Sequence, residues 1–280
     1  MARHQLTKAI KRLDSISEMD RDTTIHEIRK SIKKVRALIR MVRGQVGRKT
    51  IARANHELRG VARPLSEVRD ASVLIKTLDD LATRSQDLGT TPDFTEIRSE
   101  LVAYCDYLTR NPLEPRKVSR LKKRLDSTLR RLDSWDLAEQ ENFKIKALKR
   151  SYRQGRDAFH EASDDPSAEP LHQLRKRVKT LGFQLRTIEA NPSDPVDRLQ
   201  KLTSLLGDEL GEVHDLDILR EFLANHDESS PIFGLLDRRR LTLQDSAMLH
   251  AGVVFQNRPR DFARILRTTS CPAELAALED

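Results

Sequence analysis

One amphipathic segment is written twice in this chain, and that duplication restricts the fold more than any other feature. The first copy runs His26-Glu27-Ile28-Arg29-Lys30-Ser31-Ile32-Lys33-Lys34-Val35-Arg36. The second runs His172-Gln173-Leu174-Arg175-Lys176-Arg177-Val178-Lys179-Thr180-Leu181-Gly182, an offset of 146 residues. Around the first, Ile25, Ile28, Ile32, Val35, Ile39 and Val42 recur in steps of three and four. Leu171, Leu174, Val178, Leu181, Leu185 and Ile188 repeat those steps in the second. At about 100° per residue each set falls on one stripe of an α-helix.

The duplication extends beyond these helices. Pro64-Leu65-Ser66-Glu67-Val68-Arg69-Asp70-Ala71-Ser72-Val73-Leu74 matches Glu209-Leu210-Gly211-Glu212-Val213-His214-Asp215-Leu216-Asp217-Ile218-Leu219, now offset by 145. Two blocks at nearly one offset indicate a tandem repeat of about half the chain. Turn residues punctuate it into four helices per half. Asp22-Thr23-Thr24, Gly44 with Gly47, Gly89 to Asp93 and the Asn111-to-Pro115 break serve the first half. Ser163 to Pro166 with Pro170, Asn191 to Pro195 and Ser229-Ser230-Pro231 serve the second. The halves meet near Trp135 to Glu141, giving repeats 1–138 and 139–280. Aromatics are 4% and charged residues 34% of 280 residues, a balance suited to helices. The expectation is an all-α protein of two tandem four-helix bundles packed together.

The opposite arc of the repeated helix carries chemistry that core packing does not require. His26, Arg29, Lys30, Lys33 and Arg40 lie well over 100° from the apolar stripe, and His172, Arg175, Lys176, Lys179 and Arg186 take the same arc. A charged helix face is ordinarily a solvated one, with mixed signs. Glu27 and Ser31 sit beside the first arc, but the centre holds no carboxylate in either copy, and the arrangement occurs twice. Like charges held together favour a polyanionic partner. Each histidine stands near a helix start, where free backbone N–H groups also favour an anion. Net charge of +8 agrees. Further basic stripes are Lys8, Lys11 and Arg12; Arg150, Arg153 and Arg156; and Lys117, Arg120, Arg124 and Arg131.

Other chemistries lack their signatures. There is no phosphate-binding glycine loop and no serine or cysteine nucleophile motif. His214-Asp215 suggests a metal pair, but its counterpart is Arg69-Asp70, so Asp70 and Asp215 read as structural and no metal or cofactor is expected. Cys105 and Cys271 have no metal spacing and read as reduced core residues. The opening residues lack the apolar stretch of a signal peptide, and no run reaches a membrane span, so a soluble cytoplasmic protein is expected.

With these motifs the chain resembles the CHAD family, the conserved histidine α-helical domain. The resemblance rests on the two His-x-x-Arg-Lys-x-x-Lys helices, the stretches ending at Asp70 and Asp215, and Tyr152-Arg153-Gln154-Gly155-Arg156. It implies two four-helix bundles related by a pseudo-twofold axis, with a basic groove or pore between them. It also implies binding of inorganic polyphosphate without chemistry on it, and association with polyphosphate granules. The residues implied as ligands are His26, Arg29, Lys30, Lys33, Arg36, Arg40, His172, Arg175, Lys176, Lys179, Arg186, Arg153 and Arg156. Thr180 and Gly182 replace Lys34 and Arg36 in the second copy, so the two halves are expected to contribute unequally. The rival readings are a nucleic-acid-binding protein, a metal-dependent phosphohydrolase and a scaffold for protein partners. A nucleic-acid binder calls for aromatic or amide side chains among the cations, and here few qualify, Phe183 and Gln184 among them.

Overall fold

The computed structural model describes residues 1–16, 21–87, 92–109, 115–137, 141–192, 194–228 and 230–270. Asp70, expected to be a structural carboxylate, and Cys271 lie outside the residues whose side chains are described. The described residues are predominantly helical and contain no strand. In chain order the helices are α1 (Ala2–Asp14), α2 (Arg21–Met41), α3 (Arg43–Val46), α4 (Arg48–Ala62), α5 (Ser66–Asp87), α6 (Thr95–Thr109) and α7 (Pro115–Asp133). There follow α8 (Glu141–Asp164), α9 (Ala168–Leu185), α10 (Pro195–Phe222), α11 (Pro231–Val254) and α12 (Pro259–Ser270).

Twelve described helices exceed the eight that four per half would give. Prolines outside the punctuation account for part of the difference. Pro64 sits in a 3₁₀ turn, Arg63–Leu65, that divides α4 from α5, and Pro259 opens α12. Proline lacks an N–H and collides with the preceding turn, so it suits a first turn and interrupts an interior. Gly47 supplies the other break. Its φ of 84° lies in the left-handed region, and its N–H closes on the Arg43 carbonyl at 3.2 Å before α4 begins.

The chain forms two compact units, one of residues 1–39, 43–137 and 218–238 and one of 40–42, 138–217 and 239–280. In the first, α1 and α4 pack on α7, and α5 packs on α6. Leu6, Ala9 and Leu13 of α1, Ile51, Ala54, Leu58 and Val61 of α4, and Leu121, Leu125 and Leu132 of α7 form its core. Ile25, Ile28, Ile32, Val35 and Ile39 of α2 are buried as their spacing requires, each with at most 2% exposure. Full burial of one such side chain stabilises by about 1.5–3 kcal/mol. The end of α10 belongs to this unit, where Phe222 meets Tyr104 at 5.8 Å and His226 reaches Glu100 at 3.0 Å.

In the second unit α8 packs along α9 and α12. The ring of Tyr152 stacks on Phe262 at 4.0 Å and leans on Phe255 at 5.4 Å. Its hydroxyl donates to the Asn257 carbonyl at 3.1 Å, and burial pushes its pKa up to about 12. A Cβ on Gly155 would lie 2.7 Å from the Phe255 ring, so only glycine lets α8 approach it. The Tyr152 and Gly155 positions of the motif thus serve this core. Leu171, Leu174, Val178, Leu181, Leu185 and Ile188 of the second stripe are all buried. Among the described residues no helix is long and apolar enough to cross a membrane.

Candidate polyanion-binding site

The arc of α2 opposite its buried stripe leaves His26, Lys30 and Lys33 exposed and Arg29, Arg36 and Arg40 half-buried. Arg29 turns toward the α4–α5 junction, donating to Ser66 Oγ and, at 3.4 Å, to the Ala62 carbonyl. Arg36 Nε donates to Asn55 Oδ1 at 3.3 Å. Both guanidiniums are therefore partly oriented before any ligand arrives, which lowers the ordering cost of binding. Arg40 groups with the second unit. Burial, then the nearby Arg177 charge, pulls its pKa below the ordinary arginine value.

Glu27 neighbours this arc and is held firmly. Arg12 Nη1 donates to it at 2.8 Å, and the ammonium groups of Lys30 and Lys8 lie at 3.4 and 3.9 Å. The Arg12 hydrogen bond is the main cause of its pKa falling to about 2. The α1 stripe of Lys8 and Arg12 thus has an internal partner.

On α9 the residues His172, Arg175 and Lys179 lie along one seam against α10. Lys179 passes over Gly207, where a Cβ would come within 3.1 Å of its Cδ. Arg175 passes over Gly211, where a Cβ would lie 3.8 Å from its Nε. The His172 ring meets His214 at 4.2 Å with a 36° tilt. Positions 214, 211 and 207 are spaced by three and four, so one edge of α10 receives one edge of α9 in antiparallel order. Lys176 and Arg186 are exposed. Arg186 reaches Ser204 Oγ at 3.3 Å and lies 6.0 Å from the Phe183 ring centre.

The repeat relates these two environments. At the 145-residue offset Gly207 and Gly211 correspond to Ala62 and Ser66, the residues that Arg29 touches. Small residues therefore stand opposite the equivalent arginines in both copies. This signal was present in the sequence as two i, i+4 pairs of small residues, and the basic helices alone do not reveal it.

Carboxylates away from the centre of the arc also bear on it, one from α10 and one from the first turn of α9 itself. Lys179 Nζ pairs with Asp208 of α10 at 2.8 Å. Glu169 opens α9, its pKa lowered first by a hydrogen bond from Gln173 and then by the Lys176, His172 and His214 charges. Gly182, in the place of Arg36, has a direct packing reason. A Cβ there would lie 3.3 Å from the Thr203 methyl of α10, a tight contact that glycine avoids.

Arg153 and Arg156 have a different setting. They line a cavity of about 410 Å³ with Asp157, Arg258, Pro259 and Arg260. Arg156 Nε donates to the Phe255 carbonyl at 3.3 Å. Elsewhere on α8, Gln154 accepts from Arg177 of α9 at 3.1 Å, and Arg150 donates to the Arg40 carbonyl at 2.9 Å. Among the described residues no group of three or more His, Cys, Asp or Glu side chains is placed to hold a metal ion. Cys105 is a half-buried thiol whose pKa burial raises.

A search of curated proteins finds no match. The family model for the CHAD domain matches residues 1–224, which include both histidine helices and the α10 glycines. That match covers well over half of the 280 residues, and the chain belongs to the CHAD-domain family.

Proposed function

We propose that this protein binds inorganic polyphosphate, without chemistry on it, through the basic arcs of α2 and α9. The observation that carries this reading is the seam of His172, Arg175 and Lys179 over the Gly207–Gly211 edge, mirrored by Arg29 over Ala62 and Ser66. Polyphosphate bears charge along its length and has no bases to recognise. Arginine grips phosphate oxygens with a planar fork, and lysine supplies a mobile point charge. Helical spacing sets successive cations about 5–6 Å apart, so an extended anion meets several at once. Family membership supports the same ligand class. On this reading the protein associates with cytoplasmic polyphosphate granules, which microscopy of a fluorescent fusion checks.

The test is a titration of the full chain with long-chain polyphosphate, using RNA as competitor and orthophosphate release as a second readout. Charge reversal of Arg29, Lys33, Arg175 and Lys179 together should abolish binding while helical circular dichroism is retained. Undiminished binding by that variant would sink the proposal. Displacement by RNA at equal phosphate concentration would favour a nucleic-acid ligand. Metal-dependent release of orthophosphate would make the protein an enzyme.

A further inference from the structure

We propose that Arg153, Arg156, Arg258 and Arg260 form a second anion site, separate from the α9 arc, for a compact oligophosphate. Four guanidiniums surround the cavity of about 410 Å³ against the single carboxylate of Asp157. Arg153, Arg258 and Arg260 are exposed and Arg156 is half-buried. Among the described residues, no ion pair engages these arginines or Asp157. Elsewhere in the second unit arginines are paired: Arg239 with Glu212 at 2.7 Å and Arg240 with Asp217 at 2.5 Å. Four cations around one concavity, opposed by a single carboxylate, repel one another, and a multiply charged anion removes that repulsion.

The cluster has its own framework. Arg156 is tied by Nε to the Phe255 carbonyl, which leaves its remaining N–H donors for a ligand. Tyr152 holds the segment before α12 through the Asn257 carbonyl, and Gly155 admits Phe255 against α8. The core beneath therefore fixes the approach of Arg258 and Arg260 to Arg153 and Arg156. On α8, at about 100° per residue, Arg156 lies about 160° around the helix from Gln154, which meets α9. The cavity thus occupies the α12 flank of α8, away from the α9 flank. Arg258 and Arg260 also lie beyond the stretch matched to the CHAD domain.

Chemistry narrows the ligand. Guanidinium forks recognise phosphate bidentately, and four of them exceed what one monovalent carboxylate can satisfy. The lining contains no aromatic ring to stack a base, only Pro259. The site therefore suits a short run of linked phosphates, whether inorganic or carried by a nucleotide.

Calorimetry on the full chain with inorganic tripolyphosphate tests this. Wild type should bind, and Arg258→Gln with Arg260→Gln should weaken binding by about tenfold or more. Arg175→Gln with Lys179→Gln should change it by less than about threefold. No binding by wild type, or the reverse pattern among the variants, overturns the site. Arg258 and Arg260 are exposed, and unchanged circular dichroism of their variant confirms folding. A nucleoside triphosphate forms a second arm: equal affinity identifies phosphates read without regard to source, and weaker affinity an inorganic ligand. Binding of long-chain polyphosphate separates the two proposals. If the Arg258/Arg260 variant keeps it while losing tripolyphosphate, both sites stand; if wild type binds only tripolyphosphate, the α2 and α9 reading fails alone.

Discussion

The surroundings of Glu27 lower its carboxyl pKa strongly, and its role is testable. Its side chain is 24% exposed and its pKa is about 2 against an ordinary 4.5. The folded state therefore binds this proton less tightly than the unfolded chain. The stabilisation is fully present above about pH 4.5 and is lost as pH falls toward about 2. After allowance for solvent screening, Glu27→Gln should cost about 1 kcal/mol near neutrality and flatten this acid limb. Urea unfolding of both proteins at a series of acidic pH values reads the effect. Asp208 acts in the other direction, because its pairing with Lys179 competes with any phosphate ligand. Asp208 is 69% exposed, so Asp208→Asn should change stability by less than about 1 kcal/mol. Its affinity for polyphosphate should rise by roughly threefold, an effect of under about 1 kcal/mol. Unchanged affinity would place the Lys179 ammonium outside the ligand's reach.

The glycines of α10 and α8 do opposite things for their helices. A glycine inside a helix costs about 1 kcal/mol relative to alanine, and α10 carries Gly207 and Gly211 one turn apart. Their missing Cβ atoms leave the path along which Lys179 and Arg175 lie. Gly207→Ala with Gly211→Ala should therefore raise stability by about 1–2 kcal/mol while weakening polyphosphate binding. Thermal unfolding and a binding titration on the same protein check both signs, and a stabilised variant with full affinity would show that the glycines do not serve the ligand. At Gly155 the obstacle is a packed ring rather than a flexible cation. Gly155→Ala should destabilise by about 1–3 kcal/mol despite its better helix propensity, with Phe255→Leu in the same chain restoring part of the loss. Chemical denaturation of the single and double variants measures that coupling.

For the whole molecule, a net charge of +8 gives any anion complex a strong dependence on salt. Binding that neutralises several phosphates releases counterions, so the logarithm of affinity should fall linearly with the logarithm of salt concentration. Removing two contacting cations should reduce that slope by about two if polyphosphate behaves as nucleic acids do. Titrations at several salt concentrations provide the slope, and a salt-independent affinity would exclude a mainly electrostatic complex.

Local periodicity made the all-helical fold, both apolar stripes and the direction of the two basic arcs legible, because helical geometry determines where each side chain points about its own axis. The burial of Ile28 and Leu174 beside the exposure of Lys30 and Lys176 follows from that geometry. The interruption of α4 and α5 at Pro64 was available to the same reasoning and needed only the proline's missing N–H. What a helix cannot specify alone is the register of its neighbours. Tertiary packing decided that Lys179 meets Asp208 and Gly207, that Arg29 meets Ser66, and that Arg153 and Arg156 join Arg258 and Arg260 about one hundred residues later. Those partners lie on other elements, where long-range core contacts rather than local spacing bring them together.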